Sequence, residues 1–201
     1  MQARKTANAL AWAFWLGGAL PGLWLGWRYQ AGQLGVMPHE VVLHQTGRFA
    51  LLALMATLAL GFVQWLVTWR PLYGARRPLG VWTFLYASAH GAIWFWLDQG
   101  GVLEFALTEM REMAHVKLGL AALALMLPLA LTSVDAAPRL IGLKLWKRLH
   151  LLVWPAAVIV IAHAWVVSRF ENRLVIFLTG VVLFLMATRA YAAWRAARRQ
   201  G

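Results

Sequence analysis

Six histidines carry most of the side-chain chemistry this chain can offer: His39, His44, His90, His115, His150 and His163. The chain has no cysteine, so disulfides, thiolate metal sites, iron–sulfur clusters and thiol redox chemistry are excluded. Two of the histidines, His150 and His163, stand in a stretch that otherwise reads as lipid-soluble, KRLHLLVWPAAVIVIAHAW from Lys147 to Trp165. His90 stands in another. An ionisable side chain within a membrane is costly, and it faces the bundle interior or a site. A single imidazole there is often only hydrogen-bonded to a neighbouring helix. Two that face each other can do more. A neutral imidazole ligates iron through one ring nitrogen while its other N–H bonds a carbonyl, which is the arrangement of a bis-histidine heme.

The elements that must position these groups follow from composition. Of 201 residues, 62% are apolar and 13% charged, where a soluble domain carries about a quarter charged residues. Six apolar segments stand out, at 9–27, 49–69, 79–97, 118–134, 149–167 and 174–194. A helix crosses the hydrocarbon with about 20 apolar residues. Segments apolar on every side belong in lipid rather than in a soluble bundle. The expected fold is therefore all-α, a single integral membrane domain over 1–201 with six transmembrane helices. Pro128 is expected to kink the fourth, Pro155 to bend the fifth, and Arg189 to snorkel from the sixth. The first segment follows Arg4 and Lys5 but is too long for the apolar core of a signal peptide, and it reads as a retained helix.

Loop charge sets the orientation. Residues 1–8, 70–78, 135–148 and 189–201 carry 13 Lys and Arg; the alternate loops 28–48, 98–117 and 168–173 carry six, together with six of the seven acids. The positive-inside rule places both termini in the cytoplasm, in the bacterial inner membrane. The net charge of +12 thus faces anionic membrane lipid and gives no reason to invoke nucleic acid. Many of the 13 tryptophans lie near segment ends, where indole favours the interface.

Helix register then pairs the histidines. His163 lies four residues inside the outer end of its segment and His90 seven inside its own, or roughly 6 and 10 Å deep at 1.5 Å per residue. Small residues flank both: Ala87, Ser88, Ala89, Gly91 and Ala92 on one helix, Ala162 and Ala164 on the other. One b-type heme between His90 and His163, in the outer half of the membrane, is the expectation. His150 lies about 20 Å lower, with its ring about 140° away on an ideal helix. No histidine faces it from residues 76–78, so a second heme there takes water or an unusual residue as its other ligand. His39 and His115 are expected in solvated outer loops. His44, near Arg48, could bond a heme propionate or replace an axial ligand, and an interfacial anchor is its plainer role. Trp94, Trp96 and Trp165 could pack against a porphyrin.

Several short motifs fall in a recognisable order: His44-Gln-Thr-Gly-Arg48, Leu79-Gly80 with Ala89-His90, Leu127-Pro-Leu-Ala-Leu-Thr-Ser133, Trp146-Lys-Arg-Leu-His150, and His163-Ala-Trp165. In these the chain resembles the ferric-reductase-like transmembrane family, and within it the heme-binding membrane subunits of periplasmic methionine-sulfoxide reductase systems. The resemblance implies heme iron held by His90, His163 and His150, and FMN as a further cofactor. It implies electrons from the quinone pool or a cytoplasmic flavin reductase, and a periplasmic molybdopterin-containing reductase subunit as partner. The chain itself would be an electron-transfer subunit. A self-sufficient ferric or metal reductase would need a nicotinamide–flavin domain, for which the 201 residues leave no room. A heme-free transporter or structural bundle would place acids or broken helices at mid-membrane, and the apolar segments contain no acid.

Overall fold

The computed structural model describes residues 2–67, 70–169 and 171–198, and among these every regular element is helical. In chain order they are α1 (Gln2–Gln30), α2 (Pro38–Val67), a 3₁₀ turn (Arg70–Leu72), α3 (Tyr73–Ile93) continued by a π turn (Trp94–Asp98), α4 (Leu103–Glu112), α5 (Ala114–Leu131), α6 (Ala137–Leu140), α7 (Leu143–Leu149), a 3₁₀ turn (His150–Leu152), α8 (Val153–Val167) and α9 (Arg173–Arg198). Five stretches are long and apolar enough to cross a membrane: Thr6–Gln30, Pro38–Val67, Ala114–Leu131, Leu143–Val167 and Arg173–Arg195. α3 has the length but not the hydropathy, because Tyr86, Ser88, His90 and Gly91 interrupt its apolar run.

Three boundaries differ from the sequence expectation, each for a local reason. α2 begins at Pro38, eleven residues before the apolar segment at 49. Proline suits the first helical position, and Glu40 favours the positive end of the helix dipole. His44 and Arg48 are therefore helical residues. The outer loop 98–117 holds a whole amphipathic helix, α4, as well as the first turn of α5; His115 is in that turn, not in a loop. Finally, the break near the fifth segment falls at the His150–Leu152 3₁₀ turn rather than at Pro155. Pro155 occupies the first turn of α8, where its missing N–H has no partner to lose. Pro128 likewise lies in the last turn of α5.

The helices pack as two intimate pairs, α2 on α3 and α5 on α8, with α1 against α3 and α9 against α8 and α2. Leu51, Leu54, Met55 and Leu58 of α2 meet Ala156, Ala157 and Ile161 of α8 and Leu178, Val182 and Leu185 of α9 in the core. Their three- and four-residue spacing marks the inward stripe of each helix. The outward faces are apolar too: Trp12, Leu16, Leu20 and Leu23 of α1 and Phe177, Leu183 and Phe184 of α9 are exposed. An apolar exterior on closed helices is what a bilayer requires.

Polar ties fix the pairs. Tyr86 of α3 donates its hydroxyl to the Gly18 carbonyl at 2.6 Å and accepts the Gly22 N–H at 2.9 Å, while Trp82 donates its indole N–H to the Trp15 carbonyl at 3.0 Å. A methyl group at Gly22 would come within 3.1 Å of the Tyr86 hydroxyl, so the glycine allows the close approach of α1. At the opposite end from His90, Arg77 donates to the Ser133 carbonyl and pairs with Asp135 at 2.6 Å. This holds the start of α3 to the turn that follows α5.

Candidate functional site

The two helix pairs each present one histidine toward the other pair. His90 projects from the last turns of α3 and His163 from the last turns of α8. Their ring centroids are 6.1 Å apart and their planes 85° apart. Both rings are braced in the same way. The Nδ1–H of His90 donates to the Leu43 carbonyl of α2 at 2.8 Å, and the Nδ1–H of His163 donates to the His115 carbonyl of α5 at 2.7 Å. A carbonyl only accepts, so each ring carries its proton on Nδ1 and leaves Nε2 as a free base.

Four residues beyond each carbonyl, one helical turn on, stands a glycine. A Cβ at Gly47 would lie 3.0 Å from Nδ1 and Cε1 of His90, and one at Gly119 would lie 3.3 Å from the same atoms of His163. Any larger residue at Gly47 would displace the imidazole. Gly47 entered only as part of the His44-Gln-Thr-Gly-Arg48 run, and neither Gly119 nor either carbonyl stood out in the sequence. Glycine inside a helix costs about 1 kcal/mol relative to alanine, which was the one available signal, diluted among 17 glycines.

Between the pairs lies a cavity of about 670 Å³, within the range of cofactor sites. His90 and His163 line it with Ala87, Gly91, Gly119 and Ala164. Its mouth carries His44, Arg48 and His115 together with Glu40, Asp98 and Glu109. His44 is exposed and its Nδ1–H donates to the Glu40 carbonyl at 2.8 Å. The His115 ring stands 6.3 Å from that of His163, so His115 serves the site with its backbone and its side chain. Trp94 also lines the cavity, with its indole N–H on Glu109 at 2.9 Å. Trp96 is exposed, and Trp165 donates to Thr179 at 2.8 Å on the α9 side.

His150 is far from this cavity. Its ring stacks on Trp146 at 4.2 Å, and its Nε2 lies 3.2 Å from the Thr132 hydroxyl. Trp146 in turn donates its indole N–H to the Thr132 carbonyl at 2.9 Å.

The described residues contain no cluster of three His, Cys, Asp or Glu able to hold a bare metal ion. A group that brings its own equatorial ligands and needs only two axial ones fits better. An imidazole nitrogen binds a transition metal at about 2.0–2.1 Å, and a ring centroid lies about 1.1 Å behind its nitrogen. Two imidazoles on one axial ion therefore stand about 6 Å apart between centroids, as His90 and His163 do. The small cavity walls suit a flat macrocycle, and Arg48 at the mouth offers one cation to its carboxylates.

Comparison with known proteins agrees with this chemistry. Residues 46–161 match the model of the ferric reductase like transmembrane component, more than half of the chain. The chain belongs to the ferric-reductase-like transmembrane family. The matched residues include His90 and His150, and His163 stands two positions beyond. Relatives extend over nearly all of the sequence. The protein-methionine-sulfoxide reductase heme-binding subunit MsrQ of Ralstonia nicotianae is 32% identical over 97% of this chain and 91% of its own length. The subunit of the same name from Rhodospirillum rubrum is 32% identical over 90% and 87%, and that of Xanthomonas campestris pv. campestris 32% over 87% and 82%. The family and the apolar helices together make this a multi-pass membrane protein.

Proposed function

We propose that this chain is the heme-binding membrane subunit of a methionine-sulfoxide reductase system. Its electron donor would be the quinone pool or a cytoplasmic flavin reductase, with FMN, implied by the family resemblance, as a second carrier. Its acceptor would be a periplasmic molybdopterin subunit that repairs oxidised protein methionines. One observation carries the reading: two imidazoles with identical braces, Nε2 free on each, face each other across a cofactor-sized cavity. The names of the relatives point the same way.

In this reading His90 and His163 hold a b-type heme through Nε2. When bound, that group supplies one-electron transfer. The rest is the work of the chain. The Leu43 and His115 carbonyls fix the tautomer and make the ligating nitrogens more basic. Gly47 and Gly119 give the rings room. His44 and Arg48 at the mouth would pair with propionates, and the apolar walls keep water from the iron. His150, at the opposite end, is the candidate ligand of a second heme. A reduced-minus-oxidised spectrum of the purified chain tests the proposal. A sharp, low-spin b-type signal is expected, and a colourless protein that takes up no added hemin would sink it.

The same reading makes α3 with its π turn the sixth crossing. Its polar middle, Tyr86 to Gly91, meets α1, α2 and the cavity rather than lipid, so low hydropathy is no bar to spanning. Both termini then lie in the cytoplasm with the 13 basic residues. A reporter active only in the periplasm, fused after Gly201, should stay silent; a strong signal would reverse the orientation.

A further inference from the structure

A second cavity, about 280 Å³, opens at the other end of the bundle, among the last turns of α2 and α9 and the first turns of α3 and α8. Gly61, Phe62, Trp65, Arg76, Trp154 and Arg189 line it. Two features set it apart from an ordinary gap between helices. The first is that its charged groups are both cations, and beside them stand only the indoles of Trp65 and Trp154 and the Thr188 hydroxyl, which donates to the Leu185 carbonyl. Guanidinium and indole carry N–H groups and no acceptor. The second is that the Trp154 Nε1 is buried without a hydrogen-bond partner among the described residues, although buried donors are almost always satisfied.

The charges are deliberately placed. The Arg189 guanidinium lies over the Trp154 ring, 5.3 Å from its centroid. The Arg76 guanidinium lies against α2 at Gly61, where a Cβ would come within 3.4 Å of it. Two guanidinium groups line one small, largely apolar cavity, a setting that suits an anion. The walls are apolar and aromatic, so the body attached to that anion is apolar as well.

We propose that this pocket holds the phosphate of an anionic phospholipid, clasped by Arg76, Arg189 and the indole of Trp154. Arginine's planar fork matches phosphate oxygens, and the orphaned indole N–H supplies a further donor to them. The source is lipid because of where the pocket lies. It is at the end of the bundle that carries the excess of Lys and Arg, and basic pockets between transmembrane helices at such an end take anionic headgroups. Phe62 and Trp65 would then line the path of the first acyl carbons.

The test is native mass spectrometry of the full chain released from nanodiscs containing equal phosphatidylglycerol and phosphatidylcholine. The expected result is one phosphatidylglycerol retained in preference to phosphatidylcholine. Arg189→Gln should weaken that retention about tenfold, the cost of one charge-assisted hydrogen bond. Trp154→Phe keeps the ring and should weaken it about threefold. Circular dichroism confirms that each variant is folded, and should Arg189→Gln not fold, Arg189→Lys keeps the charge, loses the fork, and should still weaken retention. Equal retention of both lipids, unchanged retention in the folded variants, or displacement of the lipid by inorganic phosphate or flavin mononucleotide would each overturn the proposal.

Discussion

The two ends of this bundle hold histidine in different ways. At one end, the outer one in the proposed orientation, His90 and His163 are fixed by backbone: a carbonyl for Nδ1 and a glycine one turn later, on a neighbouring helix, in both cases. At the other end, His150 is fixed by side chains. It stacks on Trp146, and its Nε2 is engaged by the hydroxyl of Thr132. Backbone bracing is rigid and leaves Nε2 free. Side-chain bracing occupies that nitrogen and can be released by a rotamer change. The outer pair is thus preorganised with Nε2 free on both rings, while His150 must give up a hydrogen bond before its Nε2 can act as a base. One histidine per helix pair, each held by the other helix of its pair, also means that neither pair alone makes the outer site.

The largest effect expected from this contrast is loss of an outer ligand. Removing a residue that merely orients a metal ligand costs about 10–100-fold in affinity, and removing the ligand itself costs more. His90→Ala and His163→Ala should each cut heme per polypeptide by at least tenfold by that measure, or leave a high-spin remnant. The readouts are pyridine hemochrome and low-temperature EPR. Full low-spin heme in both variants would overturn the pairing, and His44 would be the next ligand to test.

The glycines come next and separate the two braces. Gly47→Ala places a Cβ 3.0 Å from the His90 ring, against 3.3 Å for Gly119→Ala at His163. The first leaves no room without moving the imidazole off the Leu43 carbonyl. Overpacking of this kind costs about 1–3 kcal/mol, so Gly47→Ala should weaken heme binding and shift the EPR g-values, with Gly119→Ala milder. Hemin titration of the two apoproteins measures the order. A Gly119 variant worse than the Gly47 variant would mean that the two braces are not equivalent in the way their geometry suggests.

His150→Ala has a smaller expected effect, confined to its own end. The outer spectrum should be unchanged, and heme per chain should fall only by whatever His150 holds. A loss of the outer signal would show that the ends are coupled, against the separation of their contacts.

Much of this was legible in the sequence, and the limits have physical causes. Apolar runs gave away the five stretches long and apolar enough to cross a membrane, and helical rise anticipated that the His90 and His163 rings would come together, 6.1 Å apart. The early start of α2 was hidden because Glu40, His44, Gln45 and Arg48 look like loop residues; they are polar because they line a cavity mouth on an otherwise apolar helix. α3 shows the same effect, since the residues that serve the site lower its hydropathy. The braces were invisible for a different reason. Leu43 and His115 act through their carbonyls, and a backbone carbonyl leaves no mark on residue identity. His115 looked like a solvated loop residue, whereas its backbone holds the His163 ring.

The smallest effect expected is at Thr132. Its hydroxyl donates to the Pro128 carbonyl at 2.6 Å and lies 3.2 Å from Nε2 of His150. A hydroxyl has one proton. With that proton on Pro128, the contact to His150 is made by an imidazole Nε2–H donating to the oxygen, and Nε2 is then no base at all. Thr132→Val removes the acceptor and keeps the shape, at a cost of about 0.5–1.5 kcal/mol for one exchanged hydrogen bond. The proton is then free to move to Nδ1, which leaves Nε2 available as a ligand. If the inner histidine is held back by this bond, Thr132→Val should slightly raise heme per chain above wild type while the outer EPR signal stays constant. The gain should vanish in Thr132→Val combined with His150→Ala. A drop in heme with Thr132→Val alone would mean that the threonine supports the inner ligand instead of competing for it, and the two ends would then resemble each other more than their geometry indicates.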